Sequence, residues 1–174
     1  REGRISGYPD RLHYMSDWIW ENARRGRVRD ITSEASGEPL ALHLSFISTH
    51  PGAYKQLKER ADWVRQIAAK EKEINRRAYA YIPKAQIEQA APGLQTGDVV
   101  CFVTTVPGLD VSHVGILYRK GGMLTFIHAS TTAKRVIVNE VSLRDYTARM
   151  KTNRGLMIAR PLAFSGSQTL KEKK

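Results

Sequence analysis

One cysteine, no membrane-length apolar run and a shortage of acidic residues set the limits on this 174-residue chain. Cys101 has no second cysteine to pair with, so no internal disulfide framework holds the fold, and the redox compartment stays open. No apolar stretch approaches the length that crosses a bilayer. Nothing near Arg1 resembles the charged and apolar segments of a signal peptide, and a first residue other than methionine leads us to expect a processed or incomplete sequence. There is no His-Glu-x-x-His pattern or other recognised zinc-ligand spacing. Internal repeats and nucleic-acid motifs are also missing. Seventeen acidic residues against 28 basic ones leave a net charge of +11. That excess favours anionic surroundings such as cell-wall polymer, nucleic acid or acidic lipid, and identifies none of them.

What is present is an ordinary globular composition, 41% hydrophobic and 26% charged, in a chain long enough to bury a sizeable core. The patterning predicts an α+β domain over residues 1–164, helical in its first half and an antiparallel sheet in its second, with a basic flexible tail over 165–174. Leu12, Met15 and Ile19 recur at helical spacing after Asp10, and Gly26 is the stop. A second helix is expected from near Pro51 past Lys70, with Leu57, Ala61, Val64 and Ile67 as its apolar stripe. Gly37-Glu-Pro39 reads as a loop or short strand, and Pro83 opens a short helix that ends before Pro92-Gly93. Strands are expected at 97–105, 112–119, 123–129 and 134–139. A helix over 142–151 follows, capped by Ser142 and Asp145, and then a last strand from Gly155 to Arg160.

Two histidines stand on either side of one predicted hairpin: His113 in Gly108-Leu-Asp-Val-Ser-His-Val-Gly-Ile116 and His128 in Phe126-Ile-His-Ala-Ser130. If Arg119 to Gly122 or only Lys120-Gly121 forms the loop, the two pair directly, with Cβ atoms about 4.5–5.5 Å apart. If Gly121-Gly122 is the turn, they become diagonal neighbours. Either way they share a face, because side chains alternate with a period of two. Two imidazoles beside the small residue Gly115 point to a place where substrate approaches the sheet.

These segments resemble a known family. Arg11-Leu-His-Tyr-Met-Ser-Asp-Trp18, Tyr81-Ile-Pro83, Gly97-Asp-Val-Val100 and the His113 and His128 segments are similar, in that order, to motifs of the N-acetylmuramoyl-L-alanine amidase-like proteins within the NlpC-type, papain-like cysteine peptidases and amidases. The resemblance runs from about Tyr8 to Arg160. It implies a papain-like core and hydrolysis of an amide in peptidoglycan or muropeptides, with no cofactor and no metal. It also implies a periplasmic or cell-envelope location. By motif, His113 is the base and His128 orients it. In the family the nucleophile is a cysteine upstream of the motif that begins here near Gly7, so this chain alone is expected to be inactive.

Cys101 does not fill that role on the sequence, because it lies inside the apolar run Val99-Val-Cys-Phe-Val103, where a small buried residue is the simpler reading. Asp110 and Ser112 flank the base and are candidates for substrate binding, although both are also ordinary turn formers. Ser130, with Thr131 and Thr132, offers hydroxyls after His128. Tyr14 and Tyr81 are candidate substrate contacts because both lie in the family-like segments, as does His13. Trp18, Trp20 and Trp63 read as core, and His43 and His50 as incidental. Two other classes of function stay open. One is a zinc hydrolase with His113, His128 and Asp110 as ligands. The other is a non-catalytic module that binds cell wall or nucleic acid through its positive charge. No specific nucleic acid is implied, and the oligomeric state is open.

Overall fold

A computed structural model describes residues 5–35 and 37–163. The expected tail over 165–174 lies outside them. Among the described residues eight strands form one antiparallel sheet: β1 (Val28–Asp30), β2 (Glu38–Leu40), β3 (Tyr79–Pro83), β4 (Val99–Thr104), β5 (Val111–Lys120), β6 (Met123–Ser130), β7 (Arg135–Val138) and β8 (Asn153–Pro161). The spatial order is β2-β3-β8-β4-β5-β6-β7, with β1 also paired to β8. Three of these strands come from the half expected to be helical. They are three to five residues long, too short to show an alternation, and β1 and β3 exist because distant β8 supplies their hydrogen bonds.

The helices are α1 (Met15–Arg24), α2 (Phe46–Thr49), α3 (Ala61–Ile74), α4 (Ile87–Ala90) and α5 (Leu143–Arg149). Gly26, at φ +65°, follows the end of α1 as expected. In α3 the residues that turn inward are Ile67, Glu71 and Ile74, one face of a helix. The expected start near Pro51 is corrected. Pro51–Ala53 make a single 3-10 turn, and bonds from Leu57 N–H to Tyr54 and from Arg60 N–H to Leu57 keep the chain in turns as far as Arg60. Leu57 is fully buried from within those turns, so its apolar character reported the core and not the helix.

The sheet has a packed cluster on each face. Cys101, Val103, Met157 and Ala159 face α1 and α3. Val100, Phe102, Leu117, Phe126, Leu156 and Ile158 face α4 and α5. Inside the first layer the Tyr14 hydroxyl donates to Glu71 at 2.7 Å, and Arg77 meets Asp17 at 2.7 Å. The last residues of β4 are irregular on both sides, with register shifts at Phe102/Val103 against β5 and at Val103/Thr104 against β8. Such bulges bend a strand and re-aim its neighbours, and these lie at the end of the sheet that carries the histidines.

Candidate active site

Lys120 pairs with Met123, so the β5–β6 turn is Gly121-Gly122, both at positive φ (+55° and +87°). Two successive residues in that region form the turn that suits the twist of a hairpin. With Ile116 opposite Ile127, this register sets His128 across from Gly115 and makes His113 its diagonal neighbour. The rings nevertheless meet. His113 Nε2 lies 2.7 Å from His128 Nδ1, with the ring planes 88° apart. One nitrogen donates and the other accepts.

Gly115 lines an open groove with Met15, Trp18, Val114 and Val136, and is closed where it meets Phe126. A Cβ there would lie 2.8 Å from Phe126 Cδ2, so the space is already filled by the Phe126 ring. That ring, Phe102 and Tyr146 pack against the histidines at centroid distances of 4.8–6.0 Å. His128 is buried, and its Nε2 has no hydrogen-bond partner among the described residues. Burial pushes the pKa of both rings below the ordinary histidine value, and the neighbouring His128 pushes His113 down further.

The sign of the pH dependence follows. With folded values below the unfolded one near 6.5, the unfolded chain binds more protons in that window, so stability rises with pH. The contribution is fully present above about pH 6.5 and is lost as pH falls through the folded values. Urea unfolding at pH 7.5 and pH 5 is expected to show this loss, and a His113→Gln/His128→Gln double variant should remove its histidine part.

A cleft of about 350 Å³ opens beside the pair, lined by Ser112, Ser130, Thr131, Thr132, Asn139 and Tyr146 among others. Ser112 is exposed at the bulge, and the Ser130 hydroxyl accepts a bond from Ala133 N–H while lining the cleft. Asp110 is elsewhere. It is buried, and it accepts bonds from the Ser16 N–H and hydroxyl, both at 2.8 Å, which anchors the first turn of α1 to the sheet. Burial raises its pKa, and those same hydrogen bonds oppose the rise. The ligand set His113, His128 and Asp110 is therefore not assembled. Among the described residues no group of three or more His, Cys, Asp and Glu is placed to hold a metal ion.

Tyr14 is buried, its hydroxyl held by Glu71 and by Ile47 N–H. Tyr81 is half-buried on β3 with the Arg154 guanidinium 5.0 Å from its ring centroid. Neither lines the cleft. The residue that sequence reading passed over is Tyr146. Its signal was the Ser142 cap, whose hydroxyl accepts from Asp145 N–H and fixes where α5 starts. Given that start, Tyr146 and Met150 fall one turn apart on one side.

Cys101 pairs with Val114 and Phe102 pairs with His113. Successive side chains point to opposite faces, so the thiol and the imidazoles are on opposite sides of the sheet. The thiol is fully buried, and burial, with Asp110 and Asp30 nearby, pushes its pKa up. Cys101→Ala is expected to cost about 1 kcal/mol of stability and to leave both histidine titrations unchanged by NMR. In the folded protein the thiol should resist alkylation.

A hydrogen-bonded histidine pair lies beside a hydroxyl-lined cleft, carried on one antiparallel sheet. The AmiA-like family, described as N-acetylmuramoyl-L-alanine amidase-like, matches residues 1–156, and the chain belongs to it. A solved N-acetylmuramoyl-L-alanine amidase from Bacteroides uniformis is similar over 93% of this chain and 69% of its own, at 34% identity and a TM-score of 0.89. A Bacteroides fragilis protein designated a xylanase is similar at 38% identity and a TM-score of 0.88, over 92% of this chain and 70% of its own. A Legionella pneumophila protein at 21% identity and a TM-score of 0.62 shares the fold. No protein with a curated description matches the chain. No helix among the described residues is long and apolar enough to cross a membrane.

Proposed function

We propose that the complete protein hydrolyses an amide of peptidoglycan, the bond between N-acetylmuramic acid and L-alanine or one close to it, with a Cys-His-His site of the NlpC, papain-like kind. The observation that carries this reading is the bond between His113 Nε2 and His128 Nδ1 beside a polar cleft, in a chain of the AmiA-like family. With Nε2 engaged, Nδ1 of His113 is the nitrogen free to act as base, and His128 fixes the ring and its tautomer.

In the proposed reaction His113 takes the proton of a cysteine thiol. The thiolate attacks the amide carbonyl carbon, and the leaving amine receives that proton as the carbon–nitrogen bond breaks. Water then cleaves the thioester, giving a proton to His113 that returns to the sulfur. Cys101 is on the wrong face, so the nucleophile in this proposal comes from sequence upstream of Arg1. The solved relatives carry further chain outside the matched region, which accommodates such a segment. A peptidoglycan substrate would put its action in the periplasm or cell envelope, and its positive charge suits an anionic wall.

The test is digestion of purified muropeptides and of sacculi by the longest natural form, followed by mass spectrometry. Release of free stem peptides with an L-alanine amino terminus supports the proposal. Intact substrates after incubation with a form that carries an upstream cysteine overturn it.

A further inference from the structure

The bond between the two imidazoles admits two arrangements of hydrogen. In one, His113 Nε2–H donates to a bare Nδ1 of His128, which leaves His113 Nδ1 bare and able to take a proton. In the other, His128 Nδ1–H donates to a bare Nε2 of His113, so that neutral His113 carries its hydrogen on Nδ1 and cannot act as a base there. The two differ at the far nitrogen of His128. Its Nε2 carries a hydrogen in the first arrangement and is bare in the second.

That nitrogen is closed to solvent and has no polar partner among the described residues. The elements around the pair present Phe102 from β4, Phe126 from β6, Ile137 from β7 and Tyr146 from α5. Among the described residues that line the cleft, Tyr146 is the one titratable side chain besides the two histidines, and none is an acid, a lysine or an arginine. No charge therefore dictates which arrangement forms. Burial alone gives no reason for the first, since an N–H left without a partner is the rarer kind of buried orphan.

What surrounds His128 is aromatic. The Phe126 ring lies 4.8 Å from it and the Tyr146 ring 6.0 Å, inclined by 50° and 68°. The face of an aromatic ring is negative, so it attracts an N–H and repels the lone pair of a bare nitrogen. We infer that Tyr146 is a positioning residue of the histidine pair: its ring, together with Phe126, holds the hydrogen of His128 on Nε2 and thereby keeps His113 Nδ1 free as the base. The Tyr146 hydroxyl is not a partner of His128 Nε2, so it is the ring that acts. T-shaped contacts with Phe102 at 5.3 Å and Phe126 at 4.7 Å hold that ring, and the Tyr146 N–H donates to the Ser142 carbonyl at the start of α5. The consequence for the base rests on the amidase reading, whereas the tautomers belong to the resting chain.

The test uses this chain with isotope-labelled histidine, at a pH above the titration of both rings. Long-range proton–nitrogen NMR then tells a protonated ring nitrogen from a bare one. His113 and His128 should both carry hydrogen on Nε2. Tyr146→Phe keeps the ring and should keep both tautomers. Tyr146→Leu keeps an apolar wall without a π face, and should shift His128 about two- to tenfold toward the Nδ1–H form, the range of one aromatic contact. Far-UV circular dichroism checks its fold, and Tyr146→Met, also apolar and without a π face, takes its place if it does not fold. Hydrogen on His128 Nδ1 in the parent, loss of the parental tautomers in Tyr146→Phe, or their full retention in a folded Tyr146→Leu would each overturn the inference. Muropeptide digestion by the longest natural form separates this failure from that of the amidase reading. Cleavage by a protein with hydrogen on His128 Nδ1 removes the role of Tyr146 and keeps the reaction, whereas the expected tautomers without any cleavage remove the reaction and keep the assignment.

Discussion

His113→Ala in the longest natural form is expected to lower kcat for stem-peptide release by about 10³-fold, within the range that a positioned general base supplies. The fold should survive, because His113 is only half-buried and its ring borders the cleft. Far-UV circular dichroism and the urea midpoint of the variant check that point. His128→Ala should cost less, about 10- to 100-fold, as for a partner that orients the reacting group. His128→Asn separates orientation from chemistry, since its side-chain oxygen can accept the same bond from His113 Nε2. Partial recovery in the asparagine variant is expected if His128 acts by positioning. An asparagine variant as poor as alanine would mean that the second imidazole itself moves protons, and a His113→Ala enzyme at parental rate would end the proposed mechanism.

The largest effect on stability is expected at Gly155. It lies on β8 between two strands, opposite Val103 of β4 and Pro83 of β3. A Cβ added there would run into the backbone carbonyl of Ile82, in the fully buried part of β3. Backbone held by sheet bonds on both sides cannot yield as the end of a flexible side chain can. Gly155→Ala should therefore cost about 3 kcal/mol or more and lower Tm by roughly 10 °C in a domain of this size. Differential scanning calorimetry reads it directly. A Tm within a degree or two of the parent would mean that β3 and β8 separate more easily than their packing implies. The histidine pair should keep its titration in whatever fraction stays folded.

Much of the site was legible because its signal is local. A hairpin needs only alternating residues and a turn, so β5 and β6 were found close to their true limits, and the Gly121-Gly122 turn was one of the two registers the sequence allowed. The shared face of His113 and His128 survives either register, which is why the pair could be read before the turn was known. What stayed hidden depends on distant partners. Asp110 looked like a residue of the site because it lies three positions from His113, but the N-terminal turn of α1, 94 residues away in sequence, claims its oxygens. That Phe126 fills the space where a Gly115 side chain would stand was also hidden, because nothing local shows it. Tyr14, set in a family-like segment, is occupied by Glu71 from α3. Strands β1 to β3 carry too few residues to announce themselves, and Tyr146 became visible only once α5 was seen against the sheet.

The bulges at the end of β4 divide the sheet into two regions with different freedom to vary. Toward the Gly121-Gly122 turn, β5 and β6 run in unbroken register, and a change in one residue's length would throw every side chain to the wrong face. At the histidine end, the register already shifts against both neighbours of β4, and the turn over 131–134 borders the cleft. Loops on that side can gain or lose a residue without passing the error into the core. Diversification of specificity within such a scaffold therefore has a built-in address: the rim of the cleft can drift while the strands that hold the two imidazoles stay fixed.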